Sequence, residues 1–410
     1  MKSILFLTPE LPYPPFSGGR IKSWNLVGFL RDHYDLTVGC ILKGNDEDYL
    51  EDFEIRSNLR EFFNVPVKVP RSASNLVKSY LKRMPLNPYR TYSRRFAEIV
   101  DKKAFDYDMI FVDHYEVFQY VPETYRGLVV LHEHNAYYVM WERYAKAGQN
   151  PFKRLVSYLE AQRVKRWEAA ACGRADLVLA APNDIENLVK IGVDREKCHE
   201  TYHLGDDTQL DLPDLRFEDT EKALMYLGTL NWEANVDGLL WFMDQIWPEL
   251  KTRHSDLKLY VIGKNPDKRL LDAAEADPDI VFTGFVEDPE AYFKRSRVFI
   301  APLRFGSGIK VKVLNAMYRG IPVVTTSVGT EGLAARHMHH LALADTPEDM
   351  VQSIQRLLTD TQIWQHLRQE SRKLVAEQYT WKKLFADMKH ILDAQFERNE
   401  KNKPQPFTVS

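Results

Sequence analysis

Residues 302–332, PLRFGSGIKVKVLNAMYRGIPVVTTSVGTEG, read as strand end, glycine loop, short helix, sharp stop, strand and second glycine loop. Gly306, Ser307 and Gly308 supply a turn in which backbone amides approach a ligand closely, because glycine tolerates the backbone angles such a turn needs. Arg304 precedes the turn. Lys310 and Lys312 follow it where a helix begins, and the free amides of a helix start favour an anion. Gly320 then stops the helix and Pro322 prevents its continuation. The segment is suited to holding a phosphate. On the helix, Lys312, Asn315 and Arg319 recur at spacings of three and four and share one face. Val311, Leu314 and Tyr318 form the neighbouring apolar stripe. A polar helix face alone signifies only solvent contact; the glycines and cations beside it turn the balance toward binding.

Outward from this segment, short apolar runs alternate with longer helical patterns twice over. The first series is 4–7, 36–41, 109–112, 128–131 and 177–181; the second is 223–227, 257–262, 280–283, 298–301, 323–325 and 341–343. Runs that are continuously apolar, with helices between them, predict parallel sheets covered on both faces. Two series predict two doubly wound α/β domains, each binding ligands at the carboxyl ends of its strands. The expected division is 1–205 for the first domain, 206–222 for an acidic linker holding Pro213, and 223–378 for the second domain. A C-terminal helix is expected over 379–396, with Trp381, Leu384, Phe385, Met388, Ile391 and Leu392 on one side. A polar, flexible tail follows over 397–410.

Composition narrows the class further. At 410 residues, with 44% hydrophobic and 28% charged residues, the chain can build two sizeable cores. A formal net charge of −3 excludes a dedicated nucleic-acid binder, which carries a large positive excess. Cys40, Cys172 and Cys198 form no Cys-x-x-Cys pair, which suits a reducing cytoplasm. The apolar run at the N-terminus is interrupted at Pro9, too soon for a signal peptide, and no run reaches the ~20 apolar residues that span a bilayer. The expectation is a cytoplasmic protein, either soluble or peripheral on the cytoplasmic face of a membrane. One segment carries a local bias: 68–103 holds ten Lys or Arg against two acidic residues, with Leu76, Tyr80, Leu81, Met84, Tyr89 and Tyr92 interleaved. It reads either as a solvated helical face or as a surface meeting anionic lipid or a phosphorylated acceptor, where each basic residue contributes about 1 kcal/mol.

The two doubly wound domains and the 302–332 segment together resemble the GT-B glycosyltransferases, specifically the retaining glycosyltransferase family 4. The resemblance extends over most of the chain and is best at 8–20, 131–135, 226–238, 283–286 and 301–333. It implies a C-terminal domain that holds a nucleotide-sugar, UDP- or GDP-linked, and an N-terminal domain that holds the acceptor across a cleft, with the last helix crossing back. Gly18 and Gly19 would form the turn after the first strand that approaches the donor phosphates; they are not a dinucleotide Gly-x-Gly-x-x-Gly fingerprint. His134, in Leu131-His132-Glu133-His134-Asn135, would stand beside sugar and acceptor, with His132 as the alternative. Gly228, Thr229 and Asn231 would contact the diphosphate, and Val286 the base pocket, with the neighbouring Phe285 either lining that pocket or filling the core.

Two departures from the family pattern matter. The loop 228–232 lacks the Arg and Lys common there, so the positive charge is expected from Arg304, Lys310 and Lys312. In the family's Glu-x7-Glu pattern the second Glu bonds the ribose hydroxyls; here that position is Asn315, and the first falls near Ser307. Asn keeps an acceptor and donors but loses the charge-assisted bond, roughly twice as strong as a neutral one. The resemblance implies catalysis by His134, Lys310 and Arg304, no metal and no cofactor, the nucleotide-sugar being a substrate. A glycan or lipid-linked acceptor is expected. A GT-B sugar-nucleotide epimerase and a non-catalytic nucleotide-sugar-binding subunit are the alternatives.

Overall fold

A computed structural model describes residues 1–15, 18–147, 151–306 and 308–402. Ser307, and the expected tail over 403–410, lie outside the described residues. The chain divides into two compact units, 1–203 with 384–410, and 204–383.

The first unit is built on seven parallel strands: β1 (Ser3–Thr8), β2 (Asp35–Leu42), β3 (Glu61–Pro66), β4 (Met109–Asp113), β5 (Leu128–His132), β6 (Leu177–Ala180) and β7 (Cys198–Glu200), in the order β3-β2-β1-β4-β5-β6-β7. Successive side chains point to opposite faces, so β1 feeds two cores. Ile4 and Phe6 enter one layer with Leu26, Val27 and Leu30. Leu5 and Leu7 enter the other with Phe96, Val100 and Val164. Strand order reverses between β1 and β4, and at that point the loops after the two strands diverge and leave a crevice.

The C-terminal helix, Trp381–Asn402, runs six residues past the expected end at 396. Met388, Leu392 and Phe396, four residues apart, join the core layer of the helix Gly18–His33. Phe385 stacks on Phe29 with ring centroids 4.6 Å apart. Tyr34 donates to Asp393 at 2.9 Å. Three such buried apolar side chains at ~1.5–3 kcal/mol each are enough to hold the helix on this unit.

The second unit repeats the plan with six parallel strands: β8 (Ala223–Leu227), β9 (Lys258–Ile262), β10 (Ile280–Gly284), β11 (Val298–Ala301), β12 (Val323–Thr325) and β13 (Ala342–Leu343), ordered β10-β9-β8-β11-β12-β13. The order reverses between β8 and β11. The stretch 206–222, expected as a linker, is instead folded into this unit as two short 3-10 turns, Asp207–Asp211 and Phe217–Asp219. Arg372 fixes it by donating to the carbonyl of Leu210 at 2.6 Å. Arg319 fixes it through the carbonyl of Pro213 at 2.9 Å. Backbone carbonyls capped by guanidinium groups, that of Arg319 buried and that of Arg372 half-buried, explain how so acidic a stretch stays ordered.

All eleven strands expected from sequence are present. The two that the apolar runs do not announce, β3 and β7, are the outer edges of the first sheet. Glu-Phe-Phe-Asn-Val-Pro carries polar residues and a terminal proline, which an edge tolerates. Among the described residues, no helix is long and apolar enough to cross a membrane.

Candidate functional site

The strand-order reversal in the first unit gathers a buried polar cluster around Asp113, the last residue of β4. Its register partner on β5 is His132. Asp113 Oδ1 accepts from His132 Nδ1 at 2.7 Å and from His134 Nε2 at 2.8 Å. Oδ2 accepts from Ser23 at 2.6 Å. Burial alone would raise the Asp113 carboxyl, but the His134 and His132 rings beside it hold it well below the usual carboxylate range. Burial pushes His132 down to about 3, so that ring is neutral.

His134 is fixed from three sides. Its Nε2 is committed to Asp113, and its carbonyl accepts from His203 Nε2 at 3.0 Å. Its Nδ1 lies 3.4 Å from where a Cβ on Gly19 would be. In the neutral ring the proton sits on Nε2, which leaves Nδ1 as an acceptor facing the glycine turn. The structure thus brings together His134 and Gly19, two residues singled out from sequence; around Gly18 a Cβ would meet nothing.

The turn that presents His134 is anchored by buried carboxylates. Asp184 accepts from the amide of Ala136 at 2.9 Å. Glu168 accepts from the amides of Tyr137 at 2.6 Å and Tyr138 at 3.0 Å, which satisfies the orphan amides opening the helix Tyr137–Ala147. Burial pushes Glu168 up to about 8. Lys22, one turn into the helix Gly18–His33, buries its amine with no hydrogen-bond partner among the described residues. Burial pushes that amine down to about 7, against the pull of Asp113 and Asp184.

Asp113, His132 and His134 have ligand atoms close enough to hold a metal ion. The two nitrogens stand 2.7 and 2.8 Å from a single oxygen, however. Donors on a tetrahedral ion at ordinary bond lengths keep about 3.3 Å between them, so the contacts here are hydrogen bonds.

The second cluster lies at the reversal between β8 and β11. Lys312 enters from the helix Val311–Arg319 and places its amine under the loop after β8. It donates to the hydroxyl of Tyr226 and to Asn235 Oδ1, both at 2.6 Å. Asn235 in turn donates to the carbonyl of Thr229 at 2.8 Å. A Cβ on Gly228 would sit 3.0 Å from both the Lys312 amine and the Tyr226 hydroxyl, so a side chain there would block the approach. Burial, and next the charge of Lys310, push the Lys312 amine down to about 7. The loop 228–232 therefore receives its cation from a helix that lies 84 residues further along the chain than Gly228. Thr229 and Asn231 are exposed on that loop.

Arg304 and Lys310 are engaged otherwise. Arg304 forms a two-pronged ion pair with Asp237, at 2.8 and 2.5 Å. Lys310 donates to the carbonyl of Gly308 at 2.5 Å and stands 3.4 Å from Glu331. Gly306 and Gly308 have φ of +142° and +74°, which only glycine adopts without strain. Asn315 Oδ1 accepts from the amide of Asp206 at 3.0 Å. A Cβ on Gly205 would lie 1.8 Å from that oxygen, and the Gly205 carbonyl accepts from Trp381 Nε1 at 2.9 Å. Asn315 thus tethers the chain at 205–206. Arg319, on the same helix face in sequence, is buried and paired with Glu290 at 2.7 and 2.8 Å, a structural role. Val286 is half-buried beyond β10, and its neighbour Phe285 is 72% exposed, which removes the reading of Phe285 as core.

Sequence reasoning did not single out Asp113, Lys22 or Tyr226. Asp113 had a readable signal: an acid directly after an apolar strand, at the position where doubly wound sheets bind ligands. Lys22 and Tyr226 had none.

Two doubly wound parallel sheets, each with polar side chains gathered where its strand order reverses, define the GT-B class of α/β proteins. Comparison with known proteins agrees. Residues 221–360, about a third of the chain, match the family model described as Glycosyl transferases group 1. The chain is 22% identical over 398 residues to a Klebsiella pneumoniae protein described as an uncharacterized 44.6 kDa protein in cps region, covering 95% of this chain and 99% of that one. Among solved structures, Anabaena HepE in complex with UDP and glucose superposes with a TM-score of 0.65 at 15% identity, over 96% of this chain and 100% of that one. TarM of S. aureus, in a complex that includes UDP, superposes with a TM-score of 0.65 at 10% identity, over 95% of this chain and 99% of that one. At these identities the structural likeness establishes the fold.

Proposed function

We propose that this protein transfers a sugar from a nucleoside-diphosphate sugar to an acceptor hydroxyl, retaining the anomeric configuration and using no metal. The observation that carries the reading is Lys312. Inside the segment matching the glycosyltransferase family, it is a buried amine at the strand-order reversal, under a loop opened by glycine. The bond from the anomeric carbon to the diphosphate breaks and the bond to the acceptor oxygen forms. The acceptor's proton passes to the departing phosphate. Lys312, Lys310 and the amides around Gly306 and Gly308 would stabilise the charge gathering on that phosphate, where one well-placed donor is worth about 3 kcal/mol of barrier. Arg304 contributes less while Asp237 neutralises it. His134 Nδ1 would accept from a hydroxyl of sugar or acceptor. UDP is the proposed base-carrying half, in keeping with the UDP present in the HepE and TarM complexes.

A lipid-linked or cell-surface glycan intermediate is the proposed acceptor, with the basic segment 68–103 meeting an anionic membrane. Lys68, Arg94 and Lys103 of that segment are paired with Glu47, Glu98 and Glu61. Lys78, Lys82 and Arg83 stand in sequence around an exposed Leu81 (80%) and Val77 (60%). Arg163 of the helix Pro151–Arg174 stacks on Tyr80 at 3.8 Å, which places the exposed Leu159 one turn before it beside the same surface.

The test incubates the protein with UDP-, GDP- and ADP-sugars, with and without lipid-linked glycan acceptors, and follows the anomeric protons by NMR. Acceptor-dependent transfer with retention supports the reading. Consumption of donor without acceptor, releasing an isomer, would establish an epimerase instead; tight nucleotide binding without turnover would establish a binding subunit.

A further inference from the structure

Away from both clusters, the run Arg336-His337-Met338-His339-His340 packs against the helix Thr361–Gln378. Met338 adopts φ +53°, a conformation costly for a non-glycine residue, and its amide bonds the carbonyl of Leu341 at 2.7 Å. This tight turn delivers two adjacent histidines to the helix. His339 Nδ1 comes to 3.3 Å from His366 Nε2, and its other nitrogen, Nε2, stands 3.6 Å from Glu370 Oε2. His366 and Glu370 are four residues apart, so they share one helix face. His339, His340 and Glu370 are also mutually close enough to hold an ion.

We infer that His339 and His366 form a binding site for a divalent transition-metal ion, with Glu370 orienting His339. The spacing is the first reason. Two imidazole nitrogens on one tetrahedral zinc stand about 3.3 Å apart, which is the separation here and is longer than the contacts around Asp113. Tautomers are the second. The Glu370 carboxylate, 3.6 Å from Nε2, favours by its charge the tautomer with the His339 proton on that side, which leaves Nδ1 as a lone pair facing His366. His340 is excluded as a ligand in this geometry, because its Nδ1 accepts the amide of Arg336 at 3.0 Å and its proton therefore sits on Nε2. Imidazole ligands select zinc, nickel or copper over magnesium or calcium. Both rings are partly exposed, so water can fill the remaining coordination positions and the ion can enter from solvent. The ion would staple the loop before β13 to the helix Thr361–Gln378, which is a structural service rather than part of the transfer chemistry.

The experiment titrates zinc chloride into metal-stripped full-length protein by calorimetry and follows thermal unfolding, independently of any activity. Saturable binding with a rise in melting temperature is expected, lost by at least tenfold in affinity in His339→Ala and in His366→Ala. Glu370→Gln should weaken binding about 10- to 100-fold, as loss of an orienting carboxylate does. Asp113→Asn, which alters the other histidine cluster, should leave the affinity unchanged. Wild-type affinity retained in both histidine variants, or no saturable binding to the wild type, overturns the site. Loss of binding in Asp113→Asn alone would assign the ion to that cluster and equally overturn it.

Discussion

Replacing Lys312 with methionine tests the donor site through its proton. The Lys312 ammonium ordinarily titrates at 10.5 and burial pushes it down to about 7. Keeping that proton in the folded protein at lower pH costs at most about 5 kcal/mol. Because the folded state binds fewer protons than the unfolded state between about 7 and 10.5, this group makes stability rise with pH across that window, and its penalty is complete below 7. Methionine removes the penalty but leaves the Tyr226 hydroxyl and Asn235 Oδ1 without a partner, at about 1–3 kcal/mol each. The two effects nearly cancel at pH 6, so the variant should be destabilised visibly only at pH 9. A bound diphosphate reverses the balance by stabilising the ammonium. UDP affinity of the wild type should then fall by up to tenfold per pH unit above 7, with proton uptake on binding, while the variant shows no such slope. At pH 6.5 the variant should bind UDP about 10- to 100-fold more weakly, the worth of a hydrogen bond to a charged group. Calorimetry from pH 6.5 to 9 in two buffers of different ionisation enthalpy measures both quantities, and the titration of UDP itself cancels in the difference. Parallel slopes and equal proton uptake in the two proteins would remove Lys312 from the phosphate site.

Asp113→Asn must face three donors, His132, His134 and Ser23, with one acceptor oxygen and an amide that donates. Turnover should fall by about two orders of magnitude with UDP affinity unchanged, and the imidazole nitrogen NMR shifts should show the proton on His134 moving off Nε2; unchanged shifts and turnover would refute the orienting role. Gly205→Ala should destabilise the fold by about 1–3 kcal/mol in urea unfolding, because its methyl would meet Asn315 Oδ1 at 1.8 Å. For the same reason Asn315→Glu, which installs the glutamate of the resembled glycosyltransferase pattern, should lose stability rather than gain donor affinity; a variant as stable as wild type that binds UDP more tightly would contradict the tether. In a vesicle sedimentation assay, Leu81→Glu with Lys82→Glu should abolish binding to anionic vesicles at low salt, and equal sedimentation of variant and wild type would exclude this surface.

Which features could be read from the chain follows from how far each depends on distant residues. Strands buried on both faces write themselves as apolar runs, so every inner strand was legible and only the edge strands β3 and β7, with one side open, were not. Glycine turns are local too: Gly18 and Gly19 open the helix that follows β1, Gly228 directly follows β8, and Gly306 and Gly308 lie between β11 and the helix Val311–Arg319. Partnerships were not legible. Arg304, Lys310 and Lys312 looked equally available, and only folding shows that Asp237 pairs with the first, the Gly308 carbonyl with the second, and the Tyr226 hydroxyl and Asn235 with the third.

Asn315 is the sharpest case, because its reading changes with a contact made 109 residues away. As a sequence letter it is a weakened ribose ligand. In the fold its oxygen is already spent on the amide of Asp206, and Gly205 is bare so that the oxygen can come that close. A glutamate carries one more methylene, which this contact has no room for, and it would bring a third carboxylate up to Asp206 and Asp207. The departure from the family pattern is therefore coupled to the path of the chain at 205–207. Ribose recognition through this residue would then have the Asn315 amide nitrogen to draw on, which donates where the glutamate of the resembled pattern accepts, beside the one lone pair left on its oxygen.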